Sequence, residues 1–263
     1  MNTVPGSGWL DRGDGHRLAW VRTPGTTPGV MFLGGFQSDM TGTKALALEA
    51  HCRAAGRAFL RFDYHGHGAS TGRFEDGTIG RWRADALAAF DALTAGPQVL
   101  VGSSMGGATA LWLAVHHPER VARLVLYRVS YHKNEHTHGG TREMADAAYW
   151  RSVGLAGWLS RIHLPQGGPD AWEQVIGRVS DALDPATSDH SHTIETLRTL
   201  RNPTLVVCGD RDPLVPMDDV LAMYDHIPDC GLWLLPHATH VTATNTWRAE
   251  AFATEILRFL QRR

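Results

Sequence analysis

Six short apolar runs, each closed by glycine or a turn, set the limits on how this chain can fold: VMFLGG at 30–35, AFLRFD at 58–63, QVLVGS at 98–103, VARLVLY at 121–127, TLVVCG at 204–209 and LWLL at 232–235. Runs that are nearly continuous in apolar residues suit strands buried on both faces of a parallel sheet. Helical stretches separate them, at 43–55, 81–93, 105–116, 218–224 and 246–260. In the last of these, Ala249, Phe252, Ile256, Leu257, Phe259 and Leu260 fall at helical spacing. Strand and helix in alternation predict a doubly wound, mostly parallel α/β fold. RLAWVR at 17–22 follows the turn pair Asp14-Gly15, so it reads as the second arm of an antiparallel hairpin at one sheet edge.

One stretch breaks this rhythm. From 128 to 202 there is no buried strand, only helical pieces around 143–151 and 172–183 with Gly and Pro between them. An insertion of that length predicts a folded helical cap, or lid, over a core made of 1–127 and 203–263. The cap holds His132, His136, His138, His163, His190 and His192, together with Trp150, Trp158 and Trp172.

Composition narrows the partners. With 263 residues, 43% hydrophobic and 20% charged, the chain can bury one sizeable core. A formal net charge of −2 gives no footprint for nucleic acid or an anionic membrane. No window approaches the roughly 20 apolar residues of a bilayer span. The start, MNTVPGSGWLDRGDG, resembles neither a secretory signal nor an organellar transit peptide. Cys52, Cys208 and Cys230 share no metal-ligand spacing, which points to a reducing compartment, hence a cytoplasmic protein.

The chemistry centres on Gly102-Ser103-Ser104-Met105-Gly106, a G-x-S-x-G pattern. An apolar strand leads into it and the small-residue helix GGATALWLAV leads out. Such a sharp strand-to-helix turn lifts the central serine, Ser104, above the sheet as a nucleophile. A serine hydroxyl needs a base to take its proton, and the base needs an acid to fix its tautomer. The acid candidates follow TLVVC in Gly209-Asp210-Arg211-Asp212-Pro213. Asp212 is the better placed, while Asp210 could cap the turn. LWLLPHATHVTA offers two histidines as base. His240 has loop enough to reach Ser104, and His237 sits directly after Pro236. No Asp or Glu lies near the end of the 121–127 run. Two backbone N–H groups are expected to hold an oxyanion, one from Met105 and one from Phe36 in Gly34-Gly35-Phe36-Gln37. Gln37 and Ser38 are poorer donors, because a side chain would have to reorganise.

Taken together these residues resemble the α/β-hydrolase superfamily over the whole chain. A narrower likeness spans 30–127, where GTKALALEAHCRAAGRAFLRFDYHGHGAST, GRWRADALAAFDAL and GPQVLVGSSMGG are similar to the branch of mitochondrial palmitoyl-protein thioesterases that also cleave acyl glucuronides. The resemblance implies that Ser104, Asp212 and His240 form a catalytic triad. It further implies that Phe36 follows the glycine of the oxyanion loop, and that a small-molecule acyl ester or thioester is hydrolysed without any cofactor.

The remaining features carry paired readings. His132, His136 and His138 could bind a metal if they shared one turn, but Gly139-Gly140 follow and no thiolate or carboxylate joins them, so solvated cap histidines and no metal are expected. His65-Gly66-His67-Gly68 reads as a structural turn. Trp150, Trp158 and Trp172 either line an apolar substrate pocket or form the cap's own small core. Trp82 and Trp112 belong to helices that pack on the sheet. The same fold also hosts non-hydrolytic enzymes that cyclise, add or eliminate, and ligand receptors, so the cap's His and Trp content keeps those alternatives open.

Overall fold

The six apolar runs become six neighbouring parallel strands. In the computed structural model, which describes residues 6–36, 38–164, 168–182, 184–187, 191–240 and 248–262, they are β3 (Thr26–Leu33), β4 (Arg57–Phe62), β5 (Gln98–Ser103), β6 (Val121–Tyr127), β7 (Thr204–Gly209) and β8 (Cys230–Leu235). The expected hairpin is formed by β1 (Gly6–Asp11) and β2 (Arg17–Thr23), antiparallel to each other. Strand β2 then pairs antiparallel with β4. The sheet has eight strands in the order β1-β2-β4-β3-β5-β6-β7-β8.

Side chains alternate across this sheet, as the two-residue period of a strand requires. On one face Met31, Leu33, Leu100, Leu124, Leu126, Val206 and Cys208 are buried. They are covered by α2 (Ile79–Leu93), α3 (Met105–His116) and α9 (Met217–His226). On the other face Val30, Phe32, Val99, Val101, Val125, Tyr127, Leu205 and Val207 are buried. There α1 (Thr43–Ala54) and α10 (Arg248–Gln261) close the second layer with Leu48, Phe252 and Ile256. The first two residues of the helix expected at 246–260 lie outside the described residues, as do residues 1–5.

Between β6 and β7 the chain forms α4 (Glu135–Met144), α5 (Ala147–Ser152), α6 (Ala156–His163), α7 (Ala171–Ala182) and α8 (Ile194–Thr199). Periodicity predicted two helical pieces here, and the difference has a physical cause. The α4 sequence EHTHGGTREM carries no apolar stripe. Its start is fixed by the Asn134 side chain, which accepts Thr137 N–H at 2.8 Å. Short α8 is held by packing, with Leu197 and Leu200 entering the same buried layer as α9. The cap is tied down to the core by hydrogen bonds: Thr137 Oγ1 to Leu214 O at 2.8 Å, Asn134 Nδ2 to Asp219 Oδ2 at 2.7 Å, and Arg178 Nη1 to Glu75 O at 2.7 Å. Among the described residues no helix is long and apolar enough to cross a membrane.

The tightest contact in the sheet–helix packing lies where β5 turns into α3. A β-carbon on Gly106 would stand 2.1 Å from Leu33 O and 2.4 Å from Gly34 O, and one on Gly102 would stand 2.3 Å from Gly106 O. Backbone cannot yield as a flexible side chain can. Gly106→Ala is therefore expected to lower the unfolding free energy by about 3 kcal/mol, the upper end of overpacking effects. At Gly157, exposed and with nothing near its missing β-carbon, alanine should instead stabilise α6 by up to about 1 kcal/mol. Urea titration of the two variants checks both signs.

Candidate active site

The loops that leave β3, β5, β7 and β8 at their C-terminal ends meet in one place, where open α/β sheets carry their ligands. Ser104 follows β5 with φ 55° and ψ −118°, a left-handed conformation that costs a non-glycine residue about 1–3 kcal/mol. A serine at the start of a helix ordinarily turns its hydroxyl onto the first free N–H groups. Here the backbone twist prevents that. Gly107 N–H and Ala108 N–H bond the Ser104 carbonyl at 2.8 and 3.1 Å, and the side chain makes no cap. Oγ is left to face His240 Nε2 at 3.1 Å.

The two aspartates after β7 divide their work by position. Asp210 laces the β7 and β8 loops together: its N–H bonds Leu235 O at 3.1 Å and its Oδ1 accepts Ala238 N–H at 3.1 Å. The Asp212 side chain is fully buried and faces inward. Its Oδ1 accepts Leu214 N–H and Val215 N–H at 2.9 and 3.2 Å, and its Oδ2 lies 2.8 Å from His240 Nδ1. A carboxylate accepts, so Nδ1 carries the imidazole proton and Nε2 is left as the acceptor for the serine hydroxyl. His237 is exposed on the turn at φ 53° and takes no part. Burial pushes the pKa of His240 down from the ordinary histidine value, and the positive charges of Arg128 and Lys44 push the same way. The hydrogen bond and charge of Asp212 oppose them.

Met105 is the first residue of α3, so its N–H has no carbonyl acceptor within the helix. The loop after β3 runs against the nucleophile: a β-carbon on Gly35 would lie 3.1 Å from Ser103 O and 3.4 Å from Ser104 Cβ. Phe36 comes next. Ser38 N–H to Gly35 O at 3.0 Å and Met40 N–H to Asp63 Oδ1 at 2.6 Å hold this loop in place. Gln37 lies outside the described residues.

Beside Phe36 opens a cavity of about 480 Å³ lined by Phe36, Phe74, Ile79, Trp82, Lys133 and Arg178 among others. Its aromatic wall is a set of edge-to-face contacts, Phe36 to Phe74 at 5.1 Å and Phe36 to Trp82 at 5.4 Å between ring centres. Of the two readings open for the cap tryptophans, the cap's own core describes Trp150 and Trp172. Trp172 is buried with Leu159 and Ile176, Trp150 packs against that cluster, and Trp158 is 40% exposed. Among the described residues the cap's own small apolar cluster is Leu159, Trp172 and Ile176, and large side chains such as Trp172 hold it together. The pocket wall comes instead from the turn around Phe74 and from Trp82 of α2, a helix whose tryptophan sequence patterning assigns to the core alone. Trp112 stacks on His116 at 4.1 Å.

The turn His65-Gly66-His67-Gly68 is structural, with both glycines at positive φ. Its histidines are buried, His67 against Tyr64, Phe74 and Trp82, and burial lowers the His67 pKa to about 4. His132 pairs with Asp219, Nε2 to Oδ1 at 3.2 Å. Among the described residues no three His, Cys, Asp or Glu side chains gather as a metal site. His190 and the side chain of His163 lie outside the described residues. Two residues near the triad carry no motif and escape sequence reading. Arg128 stands directly after β6, where no carboxylate was found, and Lys44 opens α1. Desolvation and the Arg128 charge lower the Lys44 pKa to about 7.

A hydroxyl on a strained turn, an imidazole within hydrogen-bond reach of it and a buried carboxylate behind the imidazole define the machinery of hydrolases built on this type of sheet. Residues 8–255 match the Alpha/beta hydrolase family, and the chain belongs to it. Human mitochondrial palmitoyl-protein thioesterase ABHD10 is 47% identical over 117 residues, 44% of this chain and 38% of that protein, so the match spans under half of the relative's length. The 2-hydroxymuconate semialdehyde hydrolase of Pseudomonas putida is 28% identical over 95% of this chain and 89% of its own. The solved structure of mouse alpha/beta hydrolase domain-containing protein 10 covers 97% of this chain and 98% of that one, with a TM-score of 0.69 and 28% identity.

The different hydrogen bonds of the two aspartates give a direct test. Asp212→Asn should keep the melting temperature within a few degrees and cost about 10⁴-fold in kcat, through loss of the correct tautomer. Asp210→Asn should lower the melting temperature with a far smaller loss of kcat. Thermal melts beside turnover of an activated ester decide between them.

Proposed function

We propose that this protein is a serine hydrolase that cleaves small-molecule acyl esters or thioesters through an acyl-enzyme. The observation that carries the reading is the continuous hydrogen-bonded series from Ser104 Oγ through His240 to Asp212, at 3.1 and 2.8 Å. In this mechanism Ser104 Oγ attacks the acyl carbon while its proton passes to His240 Nε2. Asp212 holds the ring and offsets the charge that develops on it. The N–H groups of Met105 and Phe36 receive the oxyanion. His240 then gives the proton to the leaving alcohol or thiol. A water molecule, deprotonated by the same imidazole, releases the acid and restores Ser104.

The cavity beside Phe36 is proposed to hold the acyl chain, with aromatic walls suited to an apolar group and Lys133 and Arg178 at its polar side. Support for ester or thioester chemistry also comes from the relatives, one of which is a palmitoyl-protein thioesterase.

The test is labelling by a fluorophosphonate probe followed by intact mass. One adduct per wild-type chain and none on Ser104→Ala is the expected result, and a folded wild type that takes no label would end the proposal. A series of thioesters and esters of graded chain length then reads the cavity. Each buried methylene is worth about 0.8 kcal/mol, so kcat/KM should rise roughly fourfold per carbon until the cavity is full and then level off. Phe74→Ala should move that plateau to longer chains.

A further inference from the structure

Arg128 is the first residue after β6, and three properties set it apart from the other arginines described. Its backbone is left-handed, with φ 54°. Its side chain is buried, the residue being 7% exposed. It also touches the residue just before Ser104. Arg128 N–H donates to Val207 O at 2.9 Å, which ties it to β7. Its Nη2 donates to Ser103 Oγ at 3.0 Å. Its guanidinium lies 4.6 Å over the ring of Tyr127, the residue whose carbonyl accepts Ser104 N–H at 2.8 Å.

A buried cation is expensive unless a carboxylate answers it, and apolar side chains of similar volume are usually as stable in such places. Among the described residues no carboxylate makes an ion pair with Arg128, and its Nε is buried without a hydrogen-bond partner. Among the described residues the groups touching its side chain are a neutral hydroxyl and a ring face. Its charge is nonetheless felt by Asp212, Cys208, Lys44 and His240. Arginine keeps that charge throughout the working pH range.

We propose that Arg128 is a positioning residue of the hydrolytic site: held on Ser103 Oγ, one residue from the serine that His240 meets, it fixes the Ser104 turn and sets a permanent positive charge behind the Ser104–His240 pair. The proposal rests on the reading of Ser104, His240 and Asp212 given above. Among the described residues Ser104 and Asp212 hydrogen-bond His240, and the charges of Arg128 at the end of β6 and Lys44 in α1 act on it. Asp212 favours the imidazolium. Arg128 and Lys44 oppose it, and burial opposes it further. Lys44 loses its charge as the pH rises through about 7, whereas Arg128 does not. The sign follows: taking away the Arg128 charge should raise the pH at which His240 protonates.

Inactivation by a fluorophosphonate reads this without the natural substrate. Ser104 Oγ bonds to phosphorus, fluoride leaves, and the serine proton passes to His240, so the rate follows the neutral imidazole. In wild type the half-maximal rate should fall below pH 6.5. Arg128→Met, or Arg128→Gln if the first does not fold by circular dichroism, should move the half-point up by about one pH unit. Arg128→Lys should leave it close to wild type. A purely structural arginine would change the plateau rate or the melting temperature and leave the half-point where it was. An unmoved half-point in the neutral variants overturns the proposal, as does a wild-type half-point at or above pH 6.5. If neither neutral variant folds, a wild-type half-point below 6.5 retained in Arg128→Lys supports it. Failure of wild type to label at any pH would remove the hydrolase reading itself, a result distinct from labelling whose pH dependence ignores Arg128.

Discussion

Backbone meets backbone between the end of β3, the end of β5 and the first turn of α3, with no space for a side chain between them. Leu33 O and Gly34 O lie where a β-carbon of Gly106 would be. This closeness brings three things together. It forces Ser104 into its left-handed turn, brings the loop carrying Phe36 alongside the serine, and points the free N–H end of α3 at the same spot. The strain of about 1–3 kcal/mol at Ser104 is offset by α3 itself, where Ala110, Leu111, Leu113 and Ala114 have no exposure. A helix so well packed holds its first residue still, and a nucleophile benefits from being held still.

The second layer of organisation is the division between core and cap. The core carries Ser104, Asp212 and His240, all on loops after parallel strands. The cap supplies Lys133 and Arg178 to the cavity and is clamped at its entrance by Asp219, which Ser130, His132 and Asn134 all contact. The cavity wall is therefore shared between the two parts, with Phe36, Phe74, Ile79 and Trp82 from the core facing Lys133 and Arg178 from the cap. That division suits a family in which related sheets serve unlike chemistries.

The centre of the sheet was legible because strands such as β5 and β7 are buried on both faces and so read as apolar runs. Ser104, Asp212 and His240 were legible because each stands a fixed, short distance beyond such a run. Choosing Asp212 over Asp210 was a matter of loop position, and the reason appears only in three dimensions, where Asp210 is occupied with Ala238. The cap was legible as an interruption and little more. Helix α4 has no apolar stripe, and of the cap's tryptophans Trp150 and Trp172 pack in the cap's own interior. The pocket wall escaped because Phe74 belongs to a short turn with no periodicity. Arg128 escaped for another reason: a charged residue after a strand reads as solvent-facing, and only the packed loops around it reveal that it is enclosed.

The basic residues have one more consequence. Lysine occupies only two positions of this arginine-rich sequence, Lys44 and Lys133. One lends its charge to His240 and the other borders the cavity. Reagents that couple to amines commonly spread over a protein's whole surface; on this one, every lysine they could reach belongs to the neighbourhood of the site. A dye coupled to Lys133 would therefore sit as a reporter beside the cavity.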